Sequence, residues 1–329
     1  MVRASRARTE TKYLHTTQQI EEADLAPILM IVADRNSDDT WTVQGQFKFQ
    51  GVTDKIELSK DKDIIGIKCT KFEQIPGAIK SYIDYLEVNK DFQNKSIDEL
   101  RVEVFIPILN LDCSFDYWAM YCDETLNISL VKDYKLLLRS SERVRGRKRN
   151  SRISSLKKGW RKLDVFVKSK CQEIVKSTLT ENIKDTKVSN IIRIFQDRQI
   201  SNWKKLEYFM KNCSSLWAIR LIGSLPKDKS ERMNFFGSIF GSGIPIVFWN
   251  WESIPPQVPF ESEFQKCLCR DNLCKRCRGL LKQTWELRSE SWGANNEEDR
   301  KKETGYYLGM LLEDPKILPE DDPLQTIGA

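Results

Sequence analysis

The 329-residue chain reads as an α/β protein: a mixed, mainly parallel sheet flanked by helices, with an antiparallel hairpin on its N-terminal side. From residue 101 onward, short apolar runs of strand length alternate with segments of helical periodicity, the order that builds parallel strands through crossovers. Nearer the N-terminus, one stretch alternates apolar and polar residues with the period of two expected of a half-buried antiparallel strand. Hydrophobic residues make up 40% of the chain, enough for a packed core, and no apolar run approaches the roughly 20 residues that cross a bilayer.

Taken in order, residues 1–26 form a polar lead-in, expected to be disordered, with Arg3, Arg6 and Arg8 but no apolar segment of a secretory signal. The expected location is the cytoplasm. Residues 27–320 are expected to be a single α/β domain, with 27–100 as a hairpin-plus-helix extension, 101–320 as the α/β core and 321–329 as a tail. Pro27 to Ala33 is an apolar strand, followed by a polar turn. Trp41 to Phe49 places Trp41, Val43, Phe47 and Phe49 on one face and Thr42, Gln44, Gln46 and Lys48 on the other. Phe72 to Asn89 carries Ile75, Ile79, Ile83 and Leu86 at helical spacing, with Pro76 suited to the first turn. Arg101 to Ile108 and Tyr134 to Leu138 are strands, and Leu156 to Leu179 is a helix. Leu216 to Leu225 is a buried strand, Ser230 to Phe240 a helix, Ile244 to Trp249 a strand. Phe260 to Trp285 is one long helix, and Tyr306 to Leu312 the last strand. Gly237 to Gly243 (GSIFGSG) lacks the lysine of a phosphate loop and precedes a strand, so it is expected to be a tight helix-to-strand turn.

The chemistry-bearing residues narrow the function classes. The single histidine, His15, lies in the polar lead-in, which removes histidine-based triads, Cys–His dyads and multi-histidine metal centres from the chemistry expected of the folded body. Nine cysteines with no export signal are expected to be reduced thiols. Four of them, Cys267, Cys269, Cys274 and Cys277, are the candidate metal set. Their C-x-C-x4-C-x2-C spacing departs from paired C-x2-C knuckles, and in a continuous helix Cys269 would point away from the others; Asp271 and Asn272 could break that helix. Buried or incidental thiols are the expectation, zinc the alternative, and no other cofactor is expected. Glu313 and Asp314 suggest a turn rather than a magnesium site.

The net charge of +6 is unevenly spread: between Arg139 and Lys162 stand eleven Lys or Arg against one Glu. Arg139, Arg143, Arg145, Arg147, Lys148, Arg149 and Arg152 are the candidate partner- or anion-binding residues of this segment, which is expected to be a solvated surface loop that could dock an acidic protein or a nucleic-acid backbone. At a strand's end, Arg139 and Arg143 could instead form an ion-pair network with Glu142. Trp249 and Trp251, flanking Asn250 ahead of a proline-containing loop, are candidate recognition residues with core anchoring as the plainer reading.

Four stretches also resemble the C-terminal domain of the vWA-MoxR-associated proteins of bacterial conflict systems. They are Arg101 to Asn110 (RVEVFIPILN) with Phe115 to Trp118, Leu137 to Arg143 (LLRSSER) leading to Trp160, Gly243 to Trp249 (GIPIVFW), and Leu308 to Pro319 (LGMLLEDPKILP). The likeness runs over about residues 27 to 320. It implies an antiviral defence component working with a MoxR-type AAA+ ATPase, a vWA protein and a protease or other effector, the effector expected on a separate polypeptide. No catalytic residue transfers with it. The leading expectation is a non-catalytic regulatory or recognition module acting through protein–protein contacts, by way of the basic segment and the loops after strands 137–143, 244–249 and 306–312. A nucleic-acid-binding sensor and a histidine-independent enzyme with a cysteine or carboxylate site are the alternatives.

Overall fold

The computed structural model describes residues 26–50, 52–56, 58, 66–93, 99–112, 130–177, 192–196, 203–213, 216–268, 272, 278–294 and 296–319. In chain order, β1 (Ile28–Arg35), β2 (Trp41–Phe49), β3 (Val52–Ile56) and the short β4 (Ile67–Cys69) precede helix α1 (Ile75–Val88). Strands β5 (Arg101–Ile106) and β6 (Lys135–Ser140) follow, then the long α2 (Arg149–Ser177). The rest is β7 (Ile192–Gln196), α3 (Trp203–Asn212), β8 (Ala218–Ile222), α4 (Lys229–Ser242), β9 (Ile246–Asn250), α5 (Phe260–Cys267), α6 (Arg278–Trp292) and β10 (Leu308–Leu312).

The ten strands among the described residues join one mixed sheet in the order β3-β2-β1-β5-β6-β10-β9-β8-β7, with β4 paired to β2 off that line. The β1–β2 hairpin is antiparallel, as its alternating sequence predicts, and extends the sheet rather than forming a separate layer. Strands β1, β5, β6 and β10 are mutually parallel, and so are β7, β8 and β9. The two blocks run in opposite directions because β10 pairs antiparallel with β9. The chain thus builds one block outward to β6, crosses to the far edge at β7, and returns inward to β10. The β6–β10 junction is the topological switch point of the sheet, where open α/β sheets place their ligand crevices at strand carboxyl ends.

Each face of the sheet is buried. On one, Leu29, Ile31, Val104 and Leu138 meet α1 through Ile79 and Ile83, and Ile219, Leu221 and Val247 meet α4 through Phe235, Phe236 and Ile239. On the other, Leu137, Phe248, Met310 and Leu312 pack against Phe264 of α5 and Leu280 and Leu287 of α6. The segment after β10 covers the remainder of that sheet: Ile317 and Leu318 lie against Ile28, Met30, Phe105 and Val144. Central strands buried on both sides explain why β1, β6 and β9 read as apolar runs rather than alternations.

The structure revises several boundaries. The expected 260–285 helix is divided: α5 ends at Cys267, and the Asn272 side-chain amide donates to the Lys266 carbonyl at 3.0 Å, satisfying an acceptor the helix end leaves open. Tyr306 and Tyr307 belong to a helical turn over Thr304–Tyr307, and the strand starts only at Leu308, since a continuous apolar run carries no mark of where one element gives way to the next. Most of the basic segment is helix: α2 begins at Arg149, where the sequence suggested a loop. Gly243 caps α4 in the left-handed conformation at φ 75°, the expected helix-to-strand turn. Finally, the loops after β6, β9 and β10 do not share one edge. The antiparallel β9–β10 joint sends the carboxyl end of β9 to the opposite end of the sheet.

Candidate functional site

At the switch point the carboxyl ends of β6 and β10 are filled by the chain's own charged side chains. Arg139, on β6, has no solvent exposure and holds Glu103 of β5 at 2.6 Å and Glu313, just past β10, at 3.5 Å. Its guanidinium also donates to the Asp314 carbonyl at 2.8 Å and to the Ile317 carbonyl, and lies over the Phe105 ring at 4.7 Å. Glu103 is shared with Arg101 at 2.7 Å. Burial alone would lower the pKa of Arg139, but Glu103 and Glu313 outweigh it and hold the group above its ordinary value.

Glu313 ties the two blocks together. Its carboxylate accepts from the Ser140 backbone amide at 3.0 Å, and its own amide donates to the Pro245 carbonyl at the start of β9, 2.9 Å away. Arg143, in the helical turn Ser141–Val144, is also fully buried; it donates to the Ile244 carbonyl at 3.0 Å and stacks on Phe240 at 4.3 Å. Its nearest carboxylate contact is long, 3.9 Å to Glu313, and burial pushes its pKa down to about 10. Glu142 accepts from the Ile108 amide and the Ser140 hydroxyl, each at 3.0 Å. Burial nevertheless raises its pKa, and burial likewise raises that of Asp314.

Helix α2 lies across this end of the sheet as a cover. The Trp160 indole donates to the Glu313 carbonyl, Arg152 to the Glu142 carbonyl, and Phe166 stacks on Trp217 at 5.8 Å. The approach is closest at Gly159, where a Cβ would lie 1.8 Å from the Gly243 carbonyl oxygen. Only a residue without a side chain lets α2 touch that turn. The crevice position of the fold is therefore packed with paired charge and lidded by a helix.

The candidate residues separate accordingly. Arg139 and Arg143 lie inside the network, so they present no surface to a partner in this state; the carboxylates they meet are Glu103 and Glu313, while Glu142, the partner the sequence suggested, accepts from the Ile108 amide and the Ser140 hydroxyl instead. Arg145 pairs with Asp34, Arg149 donates to the Val144 carbonyl at 2.8 Å, and Arg152 is half-buried. Arg147 and Lys148 remain exposed, together with Lys157, Lys158 and Arg161 further along α2, and these five cations make no ion pair among the described residues. Trp249 is buried, 5.2 Å from the partly buried Trp251 in an edge-on pair at the opposite end of the sheet, so the core-anchoring reading describes Trp249. Of the metal candidates, Cys267 is buried at the end of α5, while Cys269, Cys274 and Cys277 lie outside the described residues, as does Phe115 to Trp118. No helix among the described residues is long and apolar enough to cross a membrane.

Sequence reasoning placed Arg139 and Arg143 at a strand's end but named neither of the carboxylates they meet, Glu103 and Glu313. Glu103 looked like an ordinary polar residue within a strand, and Glu313 is 174 positions from Arg139, beyond any local pattern. One signal pointed there: the stretches behind the family resemblance contribute Glu103, then Arg139, Glu142 and Arg143, then Ile244 and Pro245, then Glu313 and Ile317. All of them meet in this one network. A family model described as the vWA-MoxR associated protein C-terminal domain matches residues 51–315. No curated protein and no solved structure matches the chain.

Proposed function

Because the chain belongs to the vWA-MoxR associated protein C-terminal domain family, we propose that it is a non-catalytic recognition module of a bacterial conflict system. In this reading it couples a vWA protein and a MoxR-type ATPase to an effector or protease through protein–protein contacts. The family description supports the association with vWA and MoxR proteins. The non-catalytic role rests on the switch-point crevice, which is occupied by Arg139, Glu103, Glu313 and Arg143 and covered by α2. Such a site offers a substrate no open group to meet. Among the described residues, the charged groups left open lie on the exterior, which supports recognition.

The test is direct. The purified chain is mixed with the purified vWA protein and MoxR-type ATPase of the same source, separately and together, and followed by size-exclusion chromatography with light scattering. A complex of defined stoichiometry with at least one of them is expected. Absence of any complex, with and without ATP, would overturn the reading.

A further inference from the structure

The outer face of α2 and the neighbouring end of α3 combine charge and apolar surface in a way the internal network does not use. Lys157, Lys158 and Arg161 are exposed and unpaired among the described residues, within about one turn of one another on α2, and Arg147 and Lys148 are exposed in the turn just before the helix. Ile153, Leu156, Gly159 and Leu163 lie on the buried side of α2, so its three cations are held on a fixed helix. Beside it, Val165, Tyr208 and Phe209 are 67%, 72% and 43% exposed.

The two helices meet here. The Lys162 ammonium donates to the Cys213 carbonyl at 3.0 Å, joining α2 to the residue that follows α3. Val165 follows Lys162 by about one turn, and Phe209 and Tyr208 precede Cys213 by about one turn, so the three exposed apolar residues stand near the junction along their helices. Both helices also bear on the end of α4: Gly159 on the Gly243 carbonyl, and Glu207 through its carbonyl, which accepts from the Ser242 hydroxyl at 3.3 Å.

We propose that this face docks an acidic protein surface carrying an apolar recess, which identifies the contact surface of the recognition reading and rests on that reading. Unpaired cations call for carboxylates. The exposed Tyr208 is of a residue type that anchors protein interfaces, where an apolar centre is ringed by charge. A nucleic-acid strand fits less well. Carboxylates stand at the same junction, with Asp164 half-buried on α2 and Glu207 paired to Lys211 at 2.5 Å on α3. Those carboxylates subtract from the attraction a phosphate chain would feel, and they can meet cations on the rim of a protein partner.

The experiment measures affinity of the full chain for the same vWA protein and ATPase, each as a separate probe, and for a single-stranded oligonucleotide. Two variants are compared with the unmodified chain: Lys157→Glu/Lys158→Glu/Arg161→Glu, and Tyr208→Ser. Every substitution is on the surface, and the unfolding midpoint checks that the fold is kept. Each variant is expected to weaken binding of the protein probe by about tenfold or more, with a steeper salt dependence for the unmodified chain than for the charge-reversed one. Lys227→Glu, an exposed control at the start of α4, should leave affinity unchanged. If neither protein binds the unmodified chain, the recognition reading itself fails. If one binds and neither variant weakens it, that reading stands and this surface is overturned. Oligonucleotide binding lost in the charge-reversed chain would reassign the face to nucleic acid and overturn the protein partner.

Discussion

Arg139 shows what a single buried charge does to the rest of the molecule. A guanidinium with no exposure is tolerable only while Glu103 and Glu313 neutralise it and the Asp314 and Ile317 carbonyls accept from its terminal nitrogens. Arg139→Met should therefore cost about 3–5 kcal/mol, since it takes the shared cation from two buried carboxylates and leaves Glu103 with Arg101 and Glu313 with only the distant Arg143. Urea unfolding would measure it. Adding Glu103→Gln to that variant should recover part of the loss; a strictly additive loss would show that the pair is not coupled. How much of this was legible follows from distance along the chain. The run of eleven cations in the sequence marks the region, but it does not divide Arg139 and Arg143, which are buried, from Arg147 and Lys148, which are exposed. That division depends on which residues fall at the end of β6 and which lie on the outside beyond it.

At the scale of elements, the seating of α2 depends on glycine. Gly159 brings the backbone of α2 against the left-handed turn at Gly243, and in return a Cβ on Gly243 would stand 2.0 Å from the Ser155 carbonyl oxygen. Gly159→Ala has nowhere to put its methyl group without lifting the helix from the sheet end, so a loss of about 1–3 kcal/mol is expected despite alanine's better helix propensity. The melting temperature reports it, and an increase would mean that α2 is not seated as described. Legibility varied with the kind of element. The alternation of β2 and the apolar stripe of α1 gave correct elements, because local period and burial agree there. Strands β3, β4 and β7 and helix α3 went unread: β3 is largely exposed and β4 is three residues long. Neither carries the apolar run that marks the inner strands.

Over the whole molecule, the two parallel blocks share one core. A single hydrophobic cluster takes in Leu29 and Ile31 of β1 at one side and Ile219 and Leu221 of β8 at the other, so neither block can lose its packing alone. Leu138→Ala, at the single β6–β10 register pair with Leu311, should lower stability by about 2–5 kcal/mol and shift tryptophan fluorescence and far-ultraviolet circular dichroism together. Two separated transitions would show that the blocks unfold as independent units. The mainly parallel sheet was legible in the order of elements, but its reversal at β9–β10 was not, since strand direction depends on pairings that local sequence does not record. That reversal makes the molecule two-ended. Backbone leaving β6 and β10 emerges at one pole and backbone leaving β8 and β9 at the other, a strand's length of about 17 Å away. A contact made near Trp251 would therefore leave α2 untouched, and a contact on α2 would leave Trp251 untouched, because the depth of the sheet stands between them.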